Sequence, residues 1–169
     1  QQVDETLEKR DLIGESNFVI TIFLLSSLYL YARETDKVRK LLEAHMQELI
    51  KSEYFDPSIY YKQYMDAAII DDNRPLAEQW FQTLTQTYDF SKNDHLDNNE
   101  VYLSLARYHM YQKDYEKAQE YYEHLLAHMD ELLGHKRHIL EEAAKLYECL
   151  NDHARAYSYM RQAHELSIT

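Results

Sequence analysis

Glycine and proline are almost missing from this sequence, with 2 of each in 169 residues. Sheet-rich folds need those residues for tight turns, so the scarcity argues against a β fold. Leu, Ala, Glu, Lys and Gln supply strong helix formers throughout. A single cysteine, Cys149, rules out an intrachain disulfide framework. It lies within an apolar helical pattern and is expected to be a small core residue. With so little glycine there is no phosphate-cradling loop, and no GxSxG, Cys–His or HExxH pattern marks a nucleophile or a zinc hydrolase. Carboxylate pairs such as Glu141–Glu142 and Asp71–Asp72 are ordinary on helical surfaces. The chain reads as a non-enzyme, with no catalytic residue and no cofactor.

Basic side chains are also in deficit, 18 against 30 acidic ones, for a net charge of −12. That field repels phosphate backbones and anionic headgroups, so neither nucleic acid nor a membrane surface is an expected partner. No basic stretch followed by an apolar run suggests a secretion signal. The longest apolar run, Phe18 to Ala32, falls short of the roughly 20 residues of a spanning helix and contains Thr21, Ser26 and Ser27. It is expected to be a buried core helix, and the location is expected to be cytoplasmic. Gln1 in place of an initiating Met suggests a fragment of a longer protein.

What is abundant is tyrosine, 16 residues, whose ring fills space between helices while its hydroxyl reaches water or a carbonyl. The chain reads as helices separated by short breaks. An amphipathic piece near Val3–Leu12 is followed by a break at Gly14 and Ser16 and by an apolar helix over 17–33. Thr35 and Asp36 offer a cap for a helix whose stripe is Val38, Leu41, Leu42, His45, Met46 and Leu49. Asp56–Pro57 and Asn73 with Pro75 are helix starts. Asp89 to Asp97 reads as the longest loop. Helices follow at about 98–112, 115–132, 136–150 and 153–167, joined within pairs by turns so short that the partners must run antiparallel. One domain, 1–169, is expected, with hairpins at about 17–51, 58–88, 98–132 and 136–167.

Aligning the last two pairs by their turns exposes a repeat. Tyr102, Leu105, Ala106, Asp114, Tyr115, Ala118, Tyr122 and Leu125 match Leu140, Ala143, Ala144, Asp152, His153, Ala156, Met160 and Ala163, at a spacing of 152 − 114 = 38 residues. A weaker copy spans 58–88, with Tyr61, Tyr64, Ala77, Trp80 and Phe81. The small residues mark where helices cross most closely and the large ones fill the wider grooves. The segment KDYEKAQEYYEHLL at 113–126 resembles the second helix of a tetratricopeptide repeat. Lys113 and Asn151 depart from the family by replacing its turn glycine, and His109 by replacing a Tyr. The resemblance implies an all-α solenoid of about four antiparallel hairpins in a right-handed superhelix. It also implies a protein or peptide ligand on a concave face lined by the first helix of each hairpin.

On those first helices Lys62 with Asp66, Leu103 with Arg107, and Glu141 with Lys145 stand one turn apart, with Met110, Tyr111, His138 and Glu148 nearby. The expected polypeptide-binding residues are Lys62, Asp66, Arg107, Tyr111, Glu141 and Lys145. The family's arrays in bacteria often adjoin an output domain, so a sensing or interaction module of a signalling or transcription-regulatory protein is the expected role. A structural homodimerisation element is the alternative. Among the 9 His, His124 and His128 stand one helical turn apart, a spacing that can share a metal. Without a second Cys or a zinc-binding signature they read as seam or surface residues, and no metal is expected.

Overall fold

The computed structural model describes residues 2–54, 56–132 and 134–168, with side chains at all of these except 2–13, 15 and 95. Among the described residues there are eight α-helices and no strand. They are α1 (Gln2–Tyr31), α2 (Thr35–Lys51), α3 (Ser58–Ile70), α4 (Arg74–Thr87), α5 (His95–Tyr111), α6 (Tyr115–Ala127), α7 (Lys136–Cys149) and α8 (His153–Ile168), with a 3-10 turn at Met129–Glu131. The chain divides into two compact units, Gln1–Tyr88 and Asp89–Thr169, at the start of the polar stretch read as the longest loop. In the first unit α1 pairs with α2 and α3 with α4; in the second α5 pairs with α6 and α7 with α8. Within each unit successive hairpins also touch, α2 on α3 and α6 on α7.

The four hairpins share one turn. Arg33, Asp72, Lys113 and Asn151 all have φ between 53° and 61°. They are spaced 72 − 33 = 39, 113 − 72 = 41 and 151 − 113 = 38 residues apart. At each turn the following amide returns to a carbonyl five residues back: Glu34 to Tyr29, Asn73 to Ala68, Asp114 to His109 and Asp152 to Tyr147, at 2.8–2.9 Å. This left-handed cap satisfies carbonyls that the ending helix leaves open. In the last three hairpins the same residue then opens the next helix. Asn73, Asp114 and Asp152 accept from the amides of Leu76, Lys117 and Arg155 at 3.2, 3.3 and 3.1 Å. One three-residue device thus ends one helix and starts its antiparallel partner.

Several sequence expectations change. Gly14 does not break the chain, because α1 runs through it as one helix; a mid-helix Gly is a modest propensity cost, not an obligatory stop. The amphipathic face expected over Val3–Leu12 lies outside the described side chains. The apolar run of α1 is not wholly buried: Val19, Ile22 and Ser26 face inward, while Leu24, Leu28 and Tyr31 are exposed. Thr35 does not cap α2; its hydroxyl donates to Asp71 Oδ1 at 2.7 Å, tying α2 to the end of α3. Cys149 is exposed, since it sits in the last turn of α7 and not on its packed face.

The small-residue code does mark the close crossings. Ala77, Ala106, Ala118, Ala144 and Ala156 are all buried. In the second unit Ala106 and Ala118 join Leu103, Tyr122, Leu125, Leu132, Ile139 and Leu146 in one core cluster. In the first, Trp80 stacks on Tyr64 at 4.6 Å and on Tyr61 at 5.6 Å.

Candidate protein-binding surface

In the first unit α3 is buried along nearly its whole length, because α1, α2 and α4 all pack on it. Lys62 and Asp66 are therefore 4% and 8% exposed, a correction to the open wall that their spacing suggests. They face each other, Nζ to Oδ2, at 3.6 Å. Lys62 Nζ also donates to Gln63 Oε1 at 3.1 Å and sits 5.7 Å from the Phe23 ring centroid. Gln63 Nε2 in turn donates to Ser26 at 2.8 Å and Ser27 at 2.9 Å on α1. Charge buried at this depth survives only when paired and hydrogen-bonded. These residues are internal structure and are covered from a ligand.

In the second unit Arg107 on α5 grips Glu142 on α7 with two nitrogens. Nη2 lies 2.7 Å from Oε1, and Nε lies 3.1 and 3.0 Å from the two oxygens. Tyr122 on α6 donates its hydroxyl to Glu142 Oε2 at 2.8 Å. One carboxylate from α7 thereby closes on both helices of the preceding hairpin. Burial, and then the neighbouring carboxylate, hold the Tyr122 phenol well above its usual range. A second bond, Tyr147 to Glu123 at 2.9 Å, runs the other way between α7 and α6. Hydrogen bonds from Gln119 and Tyr147 outweigh burial and lower the Glu123 pKa. Arg155 lies over the Tyr147 ring at 5.2 Å. Arg107 is thus a seam residue, and Leu103, expected beside it on an open face, is buried in the core cluster.

Tyr111 is half-buried at the end of α5. Glu141 is half-buried on α7, bonded to Arg137 Nε at 2.8 Å, and that bond holds its pKa below the usual carboxylate range. Lys145, one turn on, is exposed and forms no ion pair among the described residues. His138 and Glu148 are exposed on the same helix. Of the six expected binding residues, Glu141 and Lys145 are the two brought together on an accessible face.

Sequence reasoning missed what lies beside them. A groove of about 410 Å³ between α7 and α8 is lined by Arg137, Glu141, Tyr157, Met160, Arg161, Ala163, His164 and Ser167. Tyr157 and Met160 are 71% and 45% exposed, and Leu166 and Ile168 continue the exposed apolar surface of α8. The available signal was the change at two repeat positions, where Tyr122 becomes Met160 and Leu125 becomes Ala163.

His109, His124 and His128 take part in ring packing. His124 lies 4.1 Å from the Tyr102 ring and 4.5 Å from His128, and His109 stacks on Tyr121 at 5.6 Å. His128 Nδ1 is 2.8 Å from the carbonyl of His124. Among the described residues no group of three His, Cys, Asp or Glu is placed to hold a metal, and no helix is long and apolar enough to cross a membrane.

The fold and this surface define an all-α protein of paired helices with a charged helix face beside an open, partly apolar groove. Among known proteins, no family model, curated protein or solved structure matches the chain.

Proposed function

We propose that this chain is a protein- or peptide-binding regulatory or scaffold module. Its tetratricopeptide-like pattern at 113–126 supports reading it as the sensing or interaction part of a bacterial signalling or transcription-regulatory protein. The observation that carries this reading is the groove between α7 and α8, where exposed Tyr157 and Met160 lie beside the mixed charge of Arg137, Glu141, Arg161 and His164. Concave sites that combine apolar walls with a few polar groups suit a side-chain-bearing ligand. Exposed apolar residues gathered in one place mark interaction surfaces.

The test is selection of binders from a random peptide library on the whole chain, followed by affinity measurement on variants. Replacing Tyr157 with Ala and Arg161 with Glu, both in the groove lining, should weaken the selected peptides by about tenfold, about 1.4 kcal/mol. Lys117→Glu, exposed on α6 and paired with Glu120, should change binding by less than about twofold. Arg107 is unsuitable for this test, because its loss would strand Glu142 at the α5–α7 seam. A library that yields no binder, with a chain that self-associates in light scattering, would replace this reading with a homodimerisation element.

A further inference from the structure

The internal repeat identifies what the α7–α8 groove is shaped to hold. Shifted by the 38-residue period, Leu103, Arg107, Tyr122 and Leu125 of the α5–α6 hairpin become Glu141, Lys145, Met160 and Ala163 of the α7–α8 hairpin. In the α5–α6 hairpin those positions are occupied. Ile139 and Leu146 of α7 pack into the cluster with Leu103, Tyr122 and Leu125, and Glu142 of α7 meets Arg107 at 2.7 Å. The occupant's signature is an apolar residue, a carboxylate three residues on, and an apolar residue seven on, which together make one helical stripe. In the α7–α8 hairpin the equivalent surface is less covered: Glu141 is half-buried, Lys145 and Met160 are exposed, and Ala163 is buried at the groove's floor. The groove remains, and Lys145, at the place of Arg107, forms no ion pair among the described residues.

We infer that the α7–α8 groove docks an amphipathic helix of a partner protein, seated as α7 is seated on α5–α6, with a carboxylate of that helix meeting Lys145. This rests on the binding-module reading and names the partner's chemistry. Leu125 gives way to Ala163 and Tyr122 to Met160, so the floor is deeper and its wall more adaptable than in the occupied groove. The guest therefore carries a larger apolar residue than Ile139 at the first stripe position, a Leu, Met or Phe. In the groove lining Arg137 and Arg161 outnumber Glu141, and Lys145 stands exposed one turn beyond Glu141 on α7, so the site favours a guest carboxylate, whereas the net charge of −12 of the whole chain would repel one elsewhere.

The probe is a synthetic stapled helix with Phe at the Ile139 position, Glu at the Glu142 position and Leu at the Leu146 position, titrated into the whole chain while the Met160 methyl resonance is followed. Binding should move that resonance. Met160→Arg should weaken binding by about tenfold or more, and Lys145→Glu by about fivefold. A peptide with Lys in place of its Glu should recover most of the Lys145→Glu loss, a rescue that general damage to the fold cannot produce. No shift at Met160, or no rescue by the swapped charge, would overturn the inference. Library-selected peptides that bind while ignoring Met160→Arg would leave the binding-module reading standing and remove the groove from it. A concentration-dependent dimer abolished by Met160→Arg would make the occupant a second copy of this chain, which also overturns it.

Discussion

Residues 1–88 and 89–169 each hold a cation–carboxylate pair on their third-to-first-helix framework, but at different depths. Lys62–Asp66 is buried within α3, with Gln63 linking it to Ser26 and Ser27 of α1. Arg107–Glu142 is bidentate and half-exposed, and it joins two different helices. A buried pair gains little net stability from its own attraction, because desolvation offsets it, but loses much when one partner is removed. A half-exposed pair is screened in both directions. The first arrangement punishes error, and the second is a register pin that tolerates it. The difference follows from cover, since α1 packs over α3 while Arg107 keeps one side to solvent.

The largest expected effect tests that contrast directly. Lys62→Met should destabilise residues 1–88 by about 3 kcal/mol, by leaving Asp66 buried without its cation, and Lys62→Met with Asp66→Leu should recover most of the loss. Glu142→Gln should cost residues 89–169 only about 1 kcal/mol. Hydrogen exchange resolved along the chain is the measurement. Equal loss in both halves after Lys62→Met would break the division into two units.

Packing comes next. Ala118 is fully buried where α5 and α6 cross, so Ala118→Trp should cost about 1–3 kcal/mol by overpacking. Glu120→Trp, two positions along and exposed on the outer side, should stay within about 0.5 kcal/mol. Urea titration followed by far-ultraviolet circular dichroism distinguishes them. Equal tolerance would mean the small-residue code does not mark the seam.

The shared turn offers a gain in place of a loss. Lys113 holds φ 61°, a conformation that costs an L-residue roughly 1 kcal/mol and glycine almost nothing. Lys113→Gly should raise stability by about 0.5–1 kcal/mol, and Asn151→Gly by less, because Asn tolerates that region. A fall in the urea midpoint for Lys113→Gly would show that its side chain does something the backbone geometry does not reveal.

The smallest expected difference concerns acid. Burial holds the His109 and His124 imidazoles below their ordinary 6.5. The unfolded chain therefore takes up protons first. The stability these rings contribute is complete above that value and is lost as pH falls from it toward the folded values. In residues 1–88, burial opposes ionisation of Asp71, but hydrogen bonds from Thr35 and Arg39 outweigh it and hold its pKa below the usual 3.8. That contribution is complete above 3.8 and is lost only as pH falls through the lower, folded value. Acidification from pH 7 to 5 should thus loosen residues 89–169 before 1–88. Trp80 fluorescence, which reports on the first unit alone, should then hold steady while circular dichroism declines. His109→Gln should narrow the gap.

Much of this architecture was legible without coordinates. Scarce glycine and proline, the helix start at Asn73, the repeated Asp114 and Asp152 at short turns, and the recurring alanines at 77, 106, 118, 144 and 156 are local signals, set by backbone propensity and by the distance at which two helices cross. They determine helices, turns and seams because those features depend on neighbours within one or two turns of the chain. The sequence places the turn of the first hairpin correctly between 33 and 35 but assigns its cap to Thr35 and Asp36, because a sequence of capping residues does not show that the Thr35 hydroxyl is drawn to Asp71 at the end of α3. Burial of Lys62, Asp66 and Leu103 likewise required knowing which helices cover α3 and α5, and a spacing of four places residues on one face without saying what faces them. Only tertiary packing decided that Glu141 and Lys145, rather than all six expected residues, meet at an accessible surface. It also decided that a groove opens beside them, because exposure is a property of what a neighbouring helix fails to cover.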